Sequence, residues 1–142
     1  MTNRFTLRAQ NALNGSLREA SALGHTYIGS EHLLLGLLAE KDCIAAKLLE
    51  ARGLEISLLR KAIAELSGVG VKTRITPSDM TPRVRKIIQD SALEAGRCGQ
   101  SYVGTEHLLL ALLDERDCMA VKLLSELRIP HDELRRDVVY LR

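Results

Sequence analysis

Two stretches of this 142-residue chain repeat the same polar residues in the same order, "YIGSEHLLLGLL" from Tyr27 and "YVGTEHLLLALL" from Tyr102. Each sets a carboxylate beside an imidazole, as Glu31-His32 and Glu106-His107. Such a pair suggests proton transfer, because His titrates near neutrality. Adjacent residues on a helix point about 100 degrees apart, however, so the two side chains of a pair do not share a target easily. The chain contains no Gly-x-Ser-x-Gly elbow, no HExxH and no Cys/His pair at a recognisable spacing, which argues against catalysis. A zinc site drawn from His32, His107, Cys43 and Cys118 would take one His and one Cys from each stretch, 11 residues apart, where a closed site needs four converging ligands. His32 and His107 are therefore expected to pack or hydrogen-bond between helices. Cys43, Cys98 and Cys118 lack CxxC spacing and read as small buried apolar residues.

Recognition is the other chemistry these residues suit. Thr6 and Arg8 recur as Thr81 and Arg83, each pair at the opening of a helical pattern, and Thr81-Pro82 is a strong helix start. A helix N-terminus offers free amides and the positive end of a dipole, and so attracts an anion such as phosphate. Glu31 and Glu106 open a second helix in each half and would attract a cation. If the two helix starts meet within each half, they suit a zwitterionic ligand with phosphate at one pole and guanidinium at the other. The alternative is that Thr6 and Thr81 are only caps and that Glu31 and Glu106 only complement helix dipoles; as binding residues, both glutamates are expected to be solvent-exposed.

These positions belong to a tandem duplication. A shift of 75 residues aligns Glu31 with Glu106, Thr6 with Thr81, Arg8 with Arg83, Gly24 with Gly99, and Asp42-Cys43 with Asp117-Cys118. Each copy carries four helical patterns: an amphipathic first helix stopped at Gly24 or Gly99, a Leu-rich second helix to about Ala39 or Asp114, a third through "CIAAKLL" or "CMAVKLL", and a fourth to Leu66 or Leu141. Ser30 and Thr105 are the expected N-caps of the second helix, and Asp42 and Asp117 those of the third; Pro130 suits the first turn of the last helix. The reading is all-α: a pseudo-twofold tandem of two four-helix repeats in one globular domain, with residues 1–66 and 80–142 joined by a Gly- and Pro-containing linker at 67–79.

Composition agrees. The chain is 46% hydrophobic with only 3% aromatic residues and no Trp, as suits an aliphatic helical core. A formal net charge of +2, with acids and bases interspersed, argues against a nucleic-acid partner. No apolar run approaches the roughly 20 residues of a membrane span. The opening "MTNRFTLRAQ" lacks a signal peptide's apolar core, so a cytoplasmic location is expected.

The stretches "RFTLRAQNAL", "GHTYIGSEHLLLGLL", "GQSYVGTEHLLLALL" and "MTPRVRKII" closely resemble the N-terminal domain of Clp-type ATP-dependent unfoldases of the ClpC branch, over essentially the whole chain. The resemblance implies a docking domain on a hexameric AAA+ motor that feeds the ClpP protease, itself monomeric when isolated. It implies as partners phosphoarginine-bearing or unfolded substrate proteins and adaptors of the MecA or McsB type. It implies a phosphoarginine site built from Thr6 and Glu31 in the first repeat and Thr81 and Glu106 in the second, with Arg8 and Arg83 as phosphate neighbours. No G-x-x-x-x-G-K-[ST] loop is present, so ATP and magnesium are expected only in separate motor domains, with no cofactor and no enzyme activity here. The stop after "VVYLR" favours an excised domain over a free-standing relative.

Overall fold

A computed structural model describes residues 4–141. Among them are eight α-helices: α1 (Leu7–Ala22), α2 (Ser30–Ala39), α3 (Ile44–Ala51), α4 (Ile56–Ser67), α5 (Pro82–Arg97), α6 (Thr105–Asp114), α7 (Met119–Glu126) and α8 (His131–Leu141). A single 3-10 turn, Pro77–Asp79, leads into α5.

Their arrangement follows from how much of each helix is apolar. Every residue of α2 from Ser30 to Leu38 is buried, and α6 buries Thr105 and the run from His107 to Leu113. Helices apolar on all sides must lie at the centre. Helices α1, α5, α4 and α8 carry a single apolar stripe and wrap around them. One continuous core joins both repeats, with Leu33, Leu34 and Leu37 of α2 in the same cluster as Leu108, Leu109 and Leu112 of α6. Neither repeat closes without the other.

The first helices end where glycine makes that easy. Gly24 and Gly99 follow α1 and α5 with φ of 77° and 71°, and the next residues, His25 and Gln100, donate back to the carbonyls of Ala20 and Ala95 at 3.0 Å. Four expected caps are corrected. The N-caps of α2 and α6 are Gly29 and Gly104, while Ser30 and Thr105 are the first helical residues. The N-caps of α3 and α7 are Cys43 and Cys118, not Asp42 and Asp117. Pro130 lies one residue outside α8, where its carbonyl accepts from the Leu134 amide at 2.9 Å.

The reason is long-range. The Thr105 hydroxyl accepts from the Ala45 amide at 3.2 Å, and the Ser30 hydroxyl from the Ala120 amide at 3.0 Å. Each hydroxyl thus caps a helix of the opposite repeat. The Cys43 sulfur completes the α3 cap by accepting from Ala46. Cys43 and Cys118 are buried as expected; Cys98, at the end of α5, is only half-buried.

Candidate functional site

Thr6 sits just ahead of α1, where its hydroxyl accepts the Ala9 amide at 3.1 Å; Thr81 does the same for Val84 at 3.2 Å. Both threonines are therefore caps, as either reading of the sequence requires. Their positions in space are set by two short parallel bridges, Phe5 with Val103 and Ile28 with Met80. The Thr6 amide donates to the Val103 carbonyl at 2.9 Å, and the Thr81 amide to the Ile28 carbonyl at 3.0 Å. Val103 precedes α6 and Ile28 precedes α2. The bridges tie the first helix of each repeat to the second helix of the other.

The helix starts therefore meet between repeats, not within each repeat. Thr6 and Arg8 share a cavity of about 570 Å³ with Tyr102 and Glu106, while Asp42, Cys43 and Ile44 form another wall. Three helices, α1, α3 and α6, point their N-termini at this space. Free amides and positive dipole ends thus converge beside one carboxylate that can face a cation. The cavity brings Thr6 together with Glu106 and not with Glu31, while the second bridge sets Thr81 beside Ile28, three residues before Glu31.

Arg8 and Arg83 are partly engaged already. Arg8 donates to the Lys41 carbonyl at 2.6 Å and lies 3.6 Å from the Glu40 carboxylate. Arg83 lies 3.7 Å from Glu115, the residue equivalent to Glu40, and shares it with Lys86 at 2.7 Å. Hydrogen bonds to Glu115 and then Asp90 raise the Lys86 ammonium above its ordinary range.

The glutamates differ from expectation and from each other. Glu31 is only 4% exposed, and its carboxylate accepts the Tyr27 hydroxyl at 3.2 Å. Burial, followed by the charge of Glu31, raises the Tyr27 phenol above its ordinary range, so it stays a donor. Glu106 is half-buried and lines the cavity.

Both histidines hydrogen-bond at the start of their own helix, and His32 also reaches a residue outside it. His32 Nδ1 accepts the Gly29 amide at 2.9 Å, and His107 Nδ1 the Gly104 amide at 2.9 Å, so each ring caps the start of its own helix. An acceptor at Nδ1 leaves the proton on Nε2. In the first repeat His32 Nε2 then donates to His25 Nδ1 at 2.7 Å, and His25 Nε2 to the Gly68 carbonyl at 2.8 Å. Burial, with the neighbouring His25 second, pushes His32 down to about 3. In the second repeat Gln100 stands where His25 stands in the first, and His107 Nε2 is buried without a partner among the described residues.

The family model "Clp repeat (R) N-terminal domain" matches residues 4–127. This chain belongs to that family. The Clp repeat domain is 44% identical to "Chaperone protein ClpB" of Oceanobacillus iheyensis and 43% identical to "Negative regulator of genetic competence ClpC/MecB" of Bacillus subtilis, covering 99% of itself and 17% of each relative. It therefore spans about one-sixth of the length of these proteins. Its fold is similar to the N-terminal domain of the chaperone ClpD from Arabidopsis thaliana, with a TM-score of 0.82 at 23% identity over 96% of this chain and 93% of that one. Among the described residues no helix is long and apolar enough to cross a membrane.

Sequence reasoning missed His25, Tyr27 and Gly68. Tyr27 was visible in the doubled stretch, because Tyr102 repeats it. His25 falls opposite Gln100 in the second repeat, so the duplication could not single it out.

Proposed function

We propose that this domain docks proteins marked with phosphoarginine, unfolded substrates and adaptors of the MecA or McsB type onto a ClpC-type AAA+ unfoldase that feeds the ClpP protease. ATP and magnesium are held by the motor of the parent hexamer and not by this domain, and the setting is cytoplasmic.

The observation that carries this reading is the cavity shared by Thr6, Arg8 and Glu106. Phosphoarginine carries its phosphate directly on the guanidinium, so a receptor needs anion-binding and cation-binding groups within one small site. The amide ends of α1, α3 and α6 with Arg8 supply the first, and Glu106 the second. A volume of about 570 Å³ suits a ligand of this size, since small-molecule pockets run from roughly 300 to 1,000 Å³.

Calorimetric titration of the purified domain with free phosphoarginine tests it, with arginine and phosphoserine as controls. Saturable binding of phosphoarginine alone, lost at one site in Glu106→Ala and in Thr6→Val, is expected. No saturation by phosphoarginine would overturn the reading. A second reading, adaptor docking without phosphoarginine, is favoured by the apolar rim of the same cavity, where Ile44 is 41% and Tyr102 50% exposed. An adaptor that binds the wild type and Glu106→Ala equally, in a domain blind to phosphoarginine, would select it.

A further inference from the structure

The duplication supplies the same Thr, Arg, Tyr and Glu to two places, yet only one of the two glutamates is free to meet a ligand. We propose that Tyr27 is a gate on the site formed by Thr81 and Glu31, held shut by His25, and that it makes this site the weaker of the domain's two phosphoarginine sites. The inference rests on the phosphoarginine reading above and adds an order of occupancy to it.

Consider what a guanidinium must do on arrival. It binds a carboxylate best through two parallel N–H···O bonds, which need both oxygens. At Glu31 one oxygen already accepts the Tyr27 hydroxyl at 3.2 Å, and the side chain is withdrawn from solvent. At Glu106 the equivalent tyrosine, Tyr102, is 50% exposed and makes no hydrogen bond to Glu106 among the described residues. It lies instead beneath the Arg4 guanidinium, 6.0 Å from ring centroid to Cζ. A ligand entering at Glu106 displaces no internal donor; one entering at Glu31 must break the Tyr27 bond and move the ring.

The ring is held in place by neighbours that the second repeat lacks. Tyr27 stacks flat on His25, with centroids 5.5 Å apart and planes 2° from parallel, and meets His32 edge-on at 5.2 Å. His25 is fixed in turn by a one-way chain of donors from the Gly29 amide through His32 and His25 to the Gly68 carbonyl. Gly68 lies just past α4, in the segment between the repeats. The second repeat has Gln100 for His25, so among the described residues no imidazole stacks on Tyr102 as His25 does on Tyr27. His25 is thus a positioning residue and Tyr27 the gate itself.

Titration of the 142-residue chain with free phosphoarginine, in the wild type and four single variants, decides the matter. The wild type is expected to show two affinities separated by roughly tenfold, the equivalent of about 1.4 kcal/mol. Glu106→Ala should abolish the tighter site and Glu31→Ala the weaker. Tyr27→Phe keeps the stacked ring and removes only the hydroxyl, and His25→Gln copies the second repeat; each should strengthen the weaker site until the two affinities converge, without changing the tighter one. If the wild-type sites are already equal, or if Tyr27→Phe and His25→Gln leave the two affinities apart while the Glu variants still delete one site each, the gate is wrong and phosphoarginine recognition stands. If phosphoarginine fails to bind the wild type and Tyr27→Phe alike, the proposed function falls and the gate with it.

Discussion

The two repeats pack their first pair of helices differently. In the first, α1 approaches α2 through Gly36: a Cβ there would lie 2.7 Å from the Ser16 amide nitrogen and closer still to the Ala12 carbonyl oxygen. In the second, Ala111 occupies the equivalent position, and Ala111, Leu110 and Asp114 line a small surface recess with Asp90 and Leu93 of α5. The same twofold difference appears at the helix starts, where the first repeat builds a closed cluster of His25, Tyr27, His32 and Glu31 and the second leaves Tyr102 and Glu106 beside a cavity. Equivalent elements thus pack tightly at these places in the first repeat and leave open space in the second.

Gly36→Ala should break the comparison most severely. Overpacking against backbone, which cannot move aside as a side chain can, is expected to cost about 3 kcal/mol, read as a lowered denaturant midpoint. Ala111→Gly, the reverse exchange, should cost only about 1 kcal/mol, the ordinary helix penalty of glycine. Equal effects would mean that the two helix pairs pack alike.

Acidification should act on the first repeat through His32. Above the ordinary His value of 6.5, folded and unfolded chains both carry His32 neutral; below it the unfolded chain takes up a proton that the folded ring refuses until about 3. Stability from this residue is therefore complete above pH 6.5 and is lost as pH falls from there to about 3, at up to about 1.4 kcal/mol per pH unit. Thermal melts across this range should show the slope. His25→Gln removes the smaller cause of the shift and leaves burial, the larger, so the slope should shrink but persist.

Next come the caps exchanged between repeats. Ser30→Ala and Thr105→Val each strand a buried amide, of Ala120 and Ala45, and each should cost about 1.5 kcal/mol. Similar losses in both would show that the repeats depend on each other symmetrically despite their differing interiors. Smallest of all is the Arg52 ion pair, which joins the end of α3 to Asp137 at 2.7 Å and Glu133 at 3.0 Å on α8. Arg52 depresses the Asp137 carboxylate, yet the pair is solvent-accessible and screened. Arg52→Ala should leave the melting temperature essentially unchanged at physiological salt, and a large drop would mean that the seam depends on it.

Local chemistry was legible in the chain itself. Thr6 and Thr81 were readable as caps, Gly24 and Gly99 as stops, and the Leu runs of α2 and α6 as the centre of the core, because each signal lies within one or two helical turns of what it controls. Asp42 and Asp117 misled for the same reason. A carboxylate beside a helix start is a good local cap, but Thr105 and Ser30 arrive from the other repeat, and the adjacent cysteines take the N-cap positions. The burial of Glu31 was equally hidden, since it accompanies a cluster of Tyr27, His25 and His32 that forms only when the loop after α1 folds onto the start of α2.

From the sequence alone came the duplication at 75 residues, the all-helical class and the residues competent to bind a zwitterion. Periodicity and capping are properties of neighbouring residues and need no partner to be read. Only the tertiary structure decided which threonine faces which glutamate. A repeat places equivalent residues on equivalent elements but leaves open whether those elements pair within a copy or between copies. Here the bridges from Phe5 to Val103 and from Met80 to Ile28, each far apart in the chain, choose pairing between copies.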